Sequence, residues 1–232
     1  MRYLFLILLV VSVSSCSTAI KGTGTSNSKG SVSKGSLVNG RRFAKKGANY
    51  KYFSTASYLL FNRAWVHEKV LETSLSAYNT LAKQQPDRKF LLMECSKKKG
   101  GKMWPHRTHQ NGTSIDFGVP LTKNGRPYHF DQHFGIFHYL MAFNENGRNK
   151  LRKKVTIDFE TLAQHILELD KQARKRGLYV KKVILKINLK DDLFQTESGK
   201  LLKQKGIYFA QALPKTIDNV HDDHYHVDFG WL

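Results

Sequence analysis

Five of the ten histidines fall in two short segments, 106–116 and 221–228, that lie far apart along the chain. Side chains so separated share a site only if the fold brings the two stretches together, so this feature constrains the architecture more than any other. The second segment reads His221-Asp222-Asp223-His224-Tyr225-His226-Val227-Asp228. In an extended strand, residues two apart point to the same face, so His224 and His226 can both face one pocket. One of the pair can bind metal while the other stays free for proton transfer. In the first segment, His109 and Asp116 are separated by a loop containing Gly112, which lets a loop histidine and a strand-start aspartate converge on one ion. Phe117 and Val119 beyond Asp116 suit a strand. Zinc in catalytic sites typically takes three protein ligands and keeps a fourth position for water. Imidazole and carboxylate both suit it.

Charge points elsewhere at first. The chain of 232 residues has a formal net charge of +20, which suggests nucleic acid, an anionic surface or an acidic polymer as partner. The excess is uneven. The first acidic residue is Glu68, and residues 17–52 carry eight positives and no negatives, leaving +11 on residues 53–232. At 41% hydrophobic the chain is too apolar to be disordered throughout. Its two cysteines exclude a disulfide scaffold and a four-cysteine zinc module.

The N-terminus reads as an export signal. Arg2 precedes an almost wholly apolar run from Tyr3 to Val13, shorter than the ~20 residues that span a bilayer. Val13-Ser14-Ser15-Cys16 resembles the bacterial lipobox, which implies cleavage before Cys16 and lipidation of that cysteine. Ser17 after it implies sorting to the outer membrane. The expected divisions are a lipoprotein signal peptide over 1–15, a lipidated Cys16 with a flexible basic tether over 16–40, and one domain over 41–232. The tether reading rests on the Ser, Thr, Gly, Lys and Asn composition of residues 17–40. Cys95 follows an apolar run and is expected as a buried, inert thiol.

Within the domain, periodicity predicts a helix over Trp65–Gln85, a strand over Lys89–Glu94 and a basic turn over Lys98–Gly101. A helix capped by Asp158 should run to Arg176 and stop at Gly177, followed by an alternating strand over Leu178–Leu189. Residues 224–229 read as a final strand. Helices and strands mix without βαβ regularity, so the class is α+β. Residues 119–155 contain the turn signal Asn124-Gly125 and read as an insertion or hairpin flanking the site.

The sequence resembles the penicillin-insensitive murein endopeptidases, within the wider zinc peptidase group that includes lysostaphin, D-Ala-D-Ala peptidases and the Sonic hedgehog signalling domain. Three stretches carry the resemblance. They are Phe61-Asn62-Arg63-Ala64-Trp65-Val66-His67, the run from Gly100-Gly101-Lys102-Met103 through His106-x-x-His109-Gln110-x-Gly112-x-x-x-Asp116, and Asp223-His224-Tyr225-His226-Val227. The resemblance implies a single domain whose central, mainly antiparallel sheet carries the zinc site between flanking helices. It also implies one zinc ion held by His109, Asp116 and His226, with His224 as general base or stabiliser of the tetrahedral intermediate. His106 and His221 become substrate or oxyanion contacts, and Arg63 more simply a structural ion pair. The implied substrate is the stem peptide or cross-link of peptidoglycan, reached from a periplasmic lipid anchor, with no nucleic-acid partner. The pattern departs from the family at Pro105, at Thr113-Ser114-Ile115 and in lacking the family's several cysteines. Alternatives are a D,D- or L,D-carboxypeptidase of the same fold, a non-catalytic wall-binding lipoprotein, or a basic nucleic-acid-binding protein or metal nuclease.

Overall fold

The structure, a computed structural model, describes residues 24–232. The export signal and Cys16 lie outside the described residues. The centre is a five-stranded sheet. Its strands, from one edge to the other, are β11 (Leu178–Ile184), β12 (His224–Trp231), β7 (Ser114–Gly118), β6 (Phe90–Leu92) and β4 (Tyr50–Tyr52). All neighbours are antiparallel except β4 and β6. The expected α+β class and mainly antiparallel sheet are therefore both present.

Alternation along the two central strands gives the sheet two different faces. Ile115, Phe117, Tyr225, Val227 and Phe229 belong to the hydrophobic core. Helices α2 (Glu68–Gln84) and α3 (Phe159–Arg174) cover that face, with Tyr78 of α2 and His165 of α3 against Phe117. The intervening residues Ser114, Asp116, His224, His226 and Asp228 take the other face, and all are buried. Loops cover that second face rather than helices.

The smaller elements complete the frame. Strands β3 (Arg41–Arg42) and β5 (Trp65–Val66) pair, and α1 (Thr55–Leu59) lies between them in sequence. Strands β8 (Leu121–Lys123), β9 (Arg126–Tyr128) and β10 (Val155–Ile157) form a separate sheet, with Asn124-Gly125 as the hairpin turn at positive φ. Short helices α4 (Lys190–Gln195), α5 (Glu197–Gln204) and α6 (Lys215–Asn219) fill the connection from β11 to β12. Among the described residues no helix is long and apolar enough to cross a membrane.

Three expectations shift. The predicted helix starts at Glu68, because Trp65 and Val66 pair with β3 and His67 takes the cap, its Nδ1 accepting from the Lys69 amide. The strand from Leu178 stops at Ile184, and a bulge between Val180 and Lys182 changes which residues face inward, so that Leu178, Val180 and Val183 are buried. The largest correction concerns the tether. Residues from 24 onward are built into the domain, with β1 (Asn27–Gly30) and β2 (Gly35–Val38) forming a hairpin. That hairpin lies on the loop carrying His109. The Leu37 amide donates to Lys99 O at 3.0 Å, the Gln110 amide to Val32 O at 2.9 Å, and Ser28 Oγ to Asn111 O at 2.7 Å. Composition misled here because backbone pairing and one buried leucine, Leu37, order the segment without a large apolar payload.

Candidate metal centre

Asp116 and His226 are opposite one another in the β7–β12 register, with Ser114 opposite Asp228 and His224 opposite Gly118. The two functional strands thus present their polar side chains to one space by pairing alone. His226 is fixed at both ring nitrogens. Nδ1 lies 2.8 Å from Asp116 Oδ1, and Nε2 lies 2.7 Å from Asp228 Oδ1. Asp228 is itself held by Ser114 Oγ at 2.6 Å and Lys182 Nζ at 2.9 Å. Burial pushes the His226 imidazole down, but the charge of Asp228 and the bonds to both carboxylates outweigh it and raise it to about 10.

His109 arrives from the loop, at a backbone φ of 66°. Its Nδ1 lies 3.3 Å from Ser114 O and its Nε2 lies 3.1 Å from Asp116 Oδ2. Yet both His109 Nε2 and Asp116 Oδ2 are buried without a hydrogen-bond partner. Two orphaned polar atoms, one a nitrogen lone-pair donor and one a carboxylate oxygen, converge in a buried site. Leaving them so would cost ~1–3 kcal/mol each, which a shared cation would offset. Burial lowers the His109 imidazole despite the charge of Asp116. For Asp116 burial alone would raise the carboxyl, but His109 and His226 outweigh it and hold it well below the usual range. A neutral imidazole beside an ionised carboxylate is the donor set a zinc ion takes. The residues present therefore fit a metal ion.

His106 reaches the same carboxylate from the other side. Its Nδ1 is 3.6 Å from Asp116 Oδ2, while its Nε2 is 2.5 Å from Glu94 Oε2. His106, His109 and Asp116 place one ligand atom each within 4.8 Å of one another, a group that could hold a metal. The arrangement thus brings both His106 and His226 to Asp116, each with its outer nitrogen tied to a carboxylate, as metal-binding histidines usually are. Burial lowers His106, but the Glu94 bond and the charges of Asp116 and Glu94 outweigh it and leave it raised.

His224 shares the face of His226. Its Nδ1 is 2.6 Å from Asp223 Oδ1, and burial lowers its pKa to about 4 despite the charge of Asp116. His221 packs 4.7 Å from it, ring centroid to ring centroid, and its Nδ1 lies 2.6 Å from Ile217 O. Burial and the neighbouring His224 lower His221 to about 3. All six of the predicted histidine and aspartate positions, 106, 109, 116, 221, 224 and 226, are therefore gathered on one side of the sheet. Arg63 stands back from them. It grips Glu94 with Nη1 at 3.1 and 2.9 Å and donates from Nη2 to Trp104 O at 2.5 Å, so its direct role is an ion pair.

Other contributors carried no motif. Glu94 links Arg63 to His106, and its apolar surroundings had marked it only as the end of a strand. Tyr139 comes from the insertion and meets His224 edge to face, with ring centroids 5.8 Å apart. His138, from the same 3-10 turn, donates from Nε2 to Asp223 O at 3.2 Å. Asp222 accepts from the Phe143 amide at 3.1 Å and ties that insertion to the histidine strand. Residues 119–155 do flank the site, as expected. Cys95 is a free, buried thiol, pushed well above its usual pKa by burial.

Residues 28–229 match the protein family described as penicillin-insensitive murein endopeptidase. No curated protein matches the chain.

Proposed function

The chain belongs to the penicillin-insensitive murein endopeptidase family, and on that premise we propose that it is a zinc-dependent hydrolase of amide bonds in peptidoglycan stem peptides or cross-links. The observation that carries the zinc reading is the orphaned pair, His109 Nε2 and Asp116 Oδ2, buried beside Nδ1 of His226. His109, Asp116 and His226 would hold the ion, two of them on rigid central strands. Zinc bound there supplies Lewis acidity, polarising a carbonyl and bringing the pKa of water from 15.7 toward roughly 7.

The chain's own residues do the rest. His224, kept neutral by burial and oriented through Nδ1 by Asp223, offers Nε2 as the base that takes a proton from water and returns it to the leaving amine. His221, with Nδ1 bound to Ile217 O, keeps Nε2 for the substrate. His106 borders Asp116 on the outer side and contacts substrate or the developing oxyanion. Burial of His109, Asp116, His221, His224 and His226 strengthens their interactions over the values in water. We further propose that Cys16 carries a lipid that holds the enzyme at the periplasmic face of the outer membrane. Replacing Cys16 by Ser should then move the protein from the membrane to the soluble periplasmic fraction.

The decisive experiment is digestion of purified cross-linked muropeptides by the zinc-loaded protein, with and without a chelator, read by mass spectrometry. Cleavage of the cross-link that stops on chelation is expected. An intact substrate in the presence of stoichiometric zinc would overturn the proposal, and loss of only a terminal D-alanine would make the enzyme a carboxypeptidase. His109→Ala and His226→Ala should each lose zinc. His224→Ala should retain it and lose rate by about 10²–10⁴-fold.

A further inference from the structure

The hairpin β1–β2 packs on the loop of residues 97–107, both segments are rich in lysine and arginine, and the loop carries His106 of the candidate metal centre. Strand β2 bridges to Gly100 through Ser36, and the Leu37 amide donates to Lys99 O at 3.0 Å, so hairpin and loop are one surface. Lys29 and Lys34 on the hairpin and Lys99, Lys102 and Arg107 on the loop are all exposed, and none forms an ion pair among the described residues. Residues 24–42 and 97–107 contain no acidic residue. Beside these cations stands Trp104, 86% exposed. A tryptophan left so open forfeits a large apolar payload unless something covers it. Its carbonyl is held by Arg63 at 2.5 Å, which fixes the backbone of the turn that presents it. Two residues on is His106, whose Nδ1 lies 3.6 Å from Asp116 Oδ2, so the turn that presents Trp104 also reaches the candidate metal site.

We infer that this surface, Lys29, Lys34, Lys99, Lys102 and Arg107 around Trp104, docks the polymeric substrate, its cations facing the stem-peptide carboxylates and its indole stacking on a sugar ring of the glycan strand. The inference rests on the peptidoglycan hydrolase reading and adds to it a binding surface outside the reacting atoms. Charge complementarity selects the occupant. Exposed cations on segments that contain no acidic residue suit a repeating anion, and a flat exposed aromatic suits the apolar face of a pyranose better than it suits a phosphate headgroup. The loop that bears Lys99, Lys102 and Trp104 also bears His106, beside Asp116, which places the docking residues next to the candidate centre.

The test is co-sedimentation of the purified full chain with peptidoglycan sacculi in excess chelator, so that no turnover intervenes. Affinity should fall with added salt. The triple variant Lys34→Glu/Lys99→Glu/Lys102→Glu should bind at least about tenfold more weakly. A control of equal charge change, Lys175→Glu/Lys203→Glu/Lys205→Glu, places the reversals on α5 and at the C-terminal ends of α3 and α5 and should bind within about twofold of wild type. Trp104→Ala should weaken binding severalfold at every salt concentration. Sacculi whose carboxylates have been converted to amides should lose the wild-type advantage over the triple variant. Equal losses from the triple variant and the control would overturn the proposal, because net charge alone would then explain binding. So would binding to phosphatidylglycerol vesicles or duplex DNA that exceeds binding to sacculi and depends on the same lysines. Failure of the muropeptide digestion would overturn the hydrolase reading while leaving this binding result to stand or fall separately.

Discussion

His226 is clamped between two carboxylates, and in the proposed zinc site the outer one would set how well the inner nitrogen serves the ion. Asp228 takes the Nε2 side at 2.7 Å and is in turn fixed by Ser114 and Lys182. A carboxylate there orients the ring and raises its basicity, which typically alters metal affinity by about 10–100-fold. Asp228→Asn should therefore weaken zinc binding by roughly that factor, measured by competition with a chromogenic chelator. Asp222→Asn is the informative comparison. Asp222 also borders the histidine strand, but its Oδ2 serves the Phe143 amide and Lys186 rather than any ring of the site. Its substitution should leave zinc affinity within about twofold while loosening the insertion. Equal losses in the two variants would mean that the strand responds to charge in general and not to the Asp228–His226 contact.

Hairpin β1–β2 shows how one element braces the loop that carries His109. Gly112, at φ 78°, sits where an added Cβ would come within 2.8 Å of Leu37 Cδ2, so the hairpin's one buried leucine is packed directly on the loop behind His109. Leu37→Ala should cost about 2–4 kcal/mol in urea unfolding. It should also speed hydrogen exchange at the Gln110 amide, which donates to Val32 O at 2.9 Å. Unchanged exchange there would show that the loop holds itself. This element was illegible in the sequence because its order comes from long-range backbone bonds, and composition reports only the apolar groups a segment carries. The helices α2 and α3 and the strand β12 were legible, since their burial periodicity and the Asp158 cap are local signals. The short helices α4 to α6 lacked such periods. At the site, the His and Asp spacing identified the residues that meet at Asp116. Glu94, Tyr139 and His138 escaped notice because they join through tertiary packing of segments with no motif of their own.

The molecule as a whole is built around a sheet with a polar site on one face and a core on the other, and that core contains a histidine. His165 on α3 is fully buried among Tyr78, Phe90 and Phe117, with Nδ1 accepting from the Tyr225 hydroxyl and Nε2 without a partner. Burial alone lowers its pKa to about 3. Above pH ~6.5 the ring is neutral whether the chain is folded or unfolded, and it adds no pH dependence. Between there and pH ~3 the unfolded chain binds a proton that the folded core refuses, so stability falls by up to about 1.4 kcal/mol per pH unit as the pH drops. Below pH ~3 both states are protonated and the loss levels off. The penalty is global, because His165 joins α2, α3 and the central strands and cannot open to water without separating them. The double variant His165→Phe/Tyr225→Phe removes the titrating ring together with the hydroxyl that would lose its acceptor. Urea unfolding at pH 7.0 and at pH 4.5 should show the wild type losing about 3 kcal/mol more than the double variant between those values. His221 and His224 titrate in both proteins and cancel in the comparison. Parallel losses in wild type and variant would place the acid sensitivity of the fold outside the His165–Tyr225 pair.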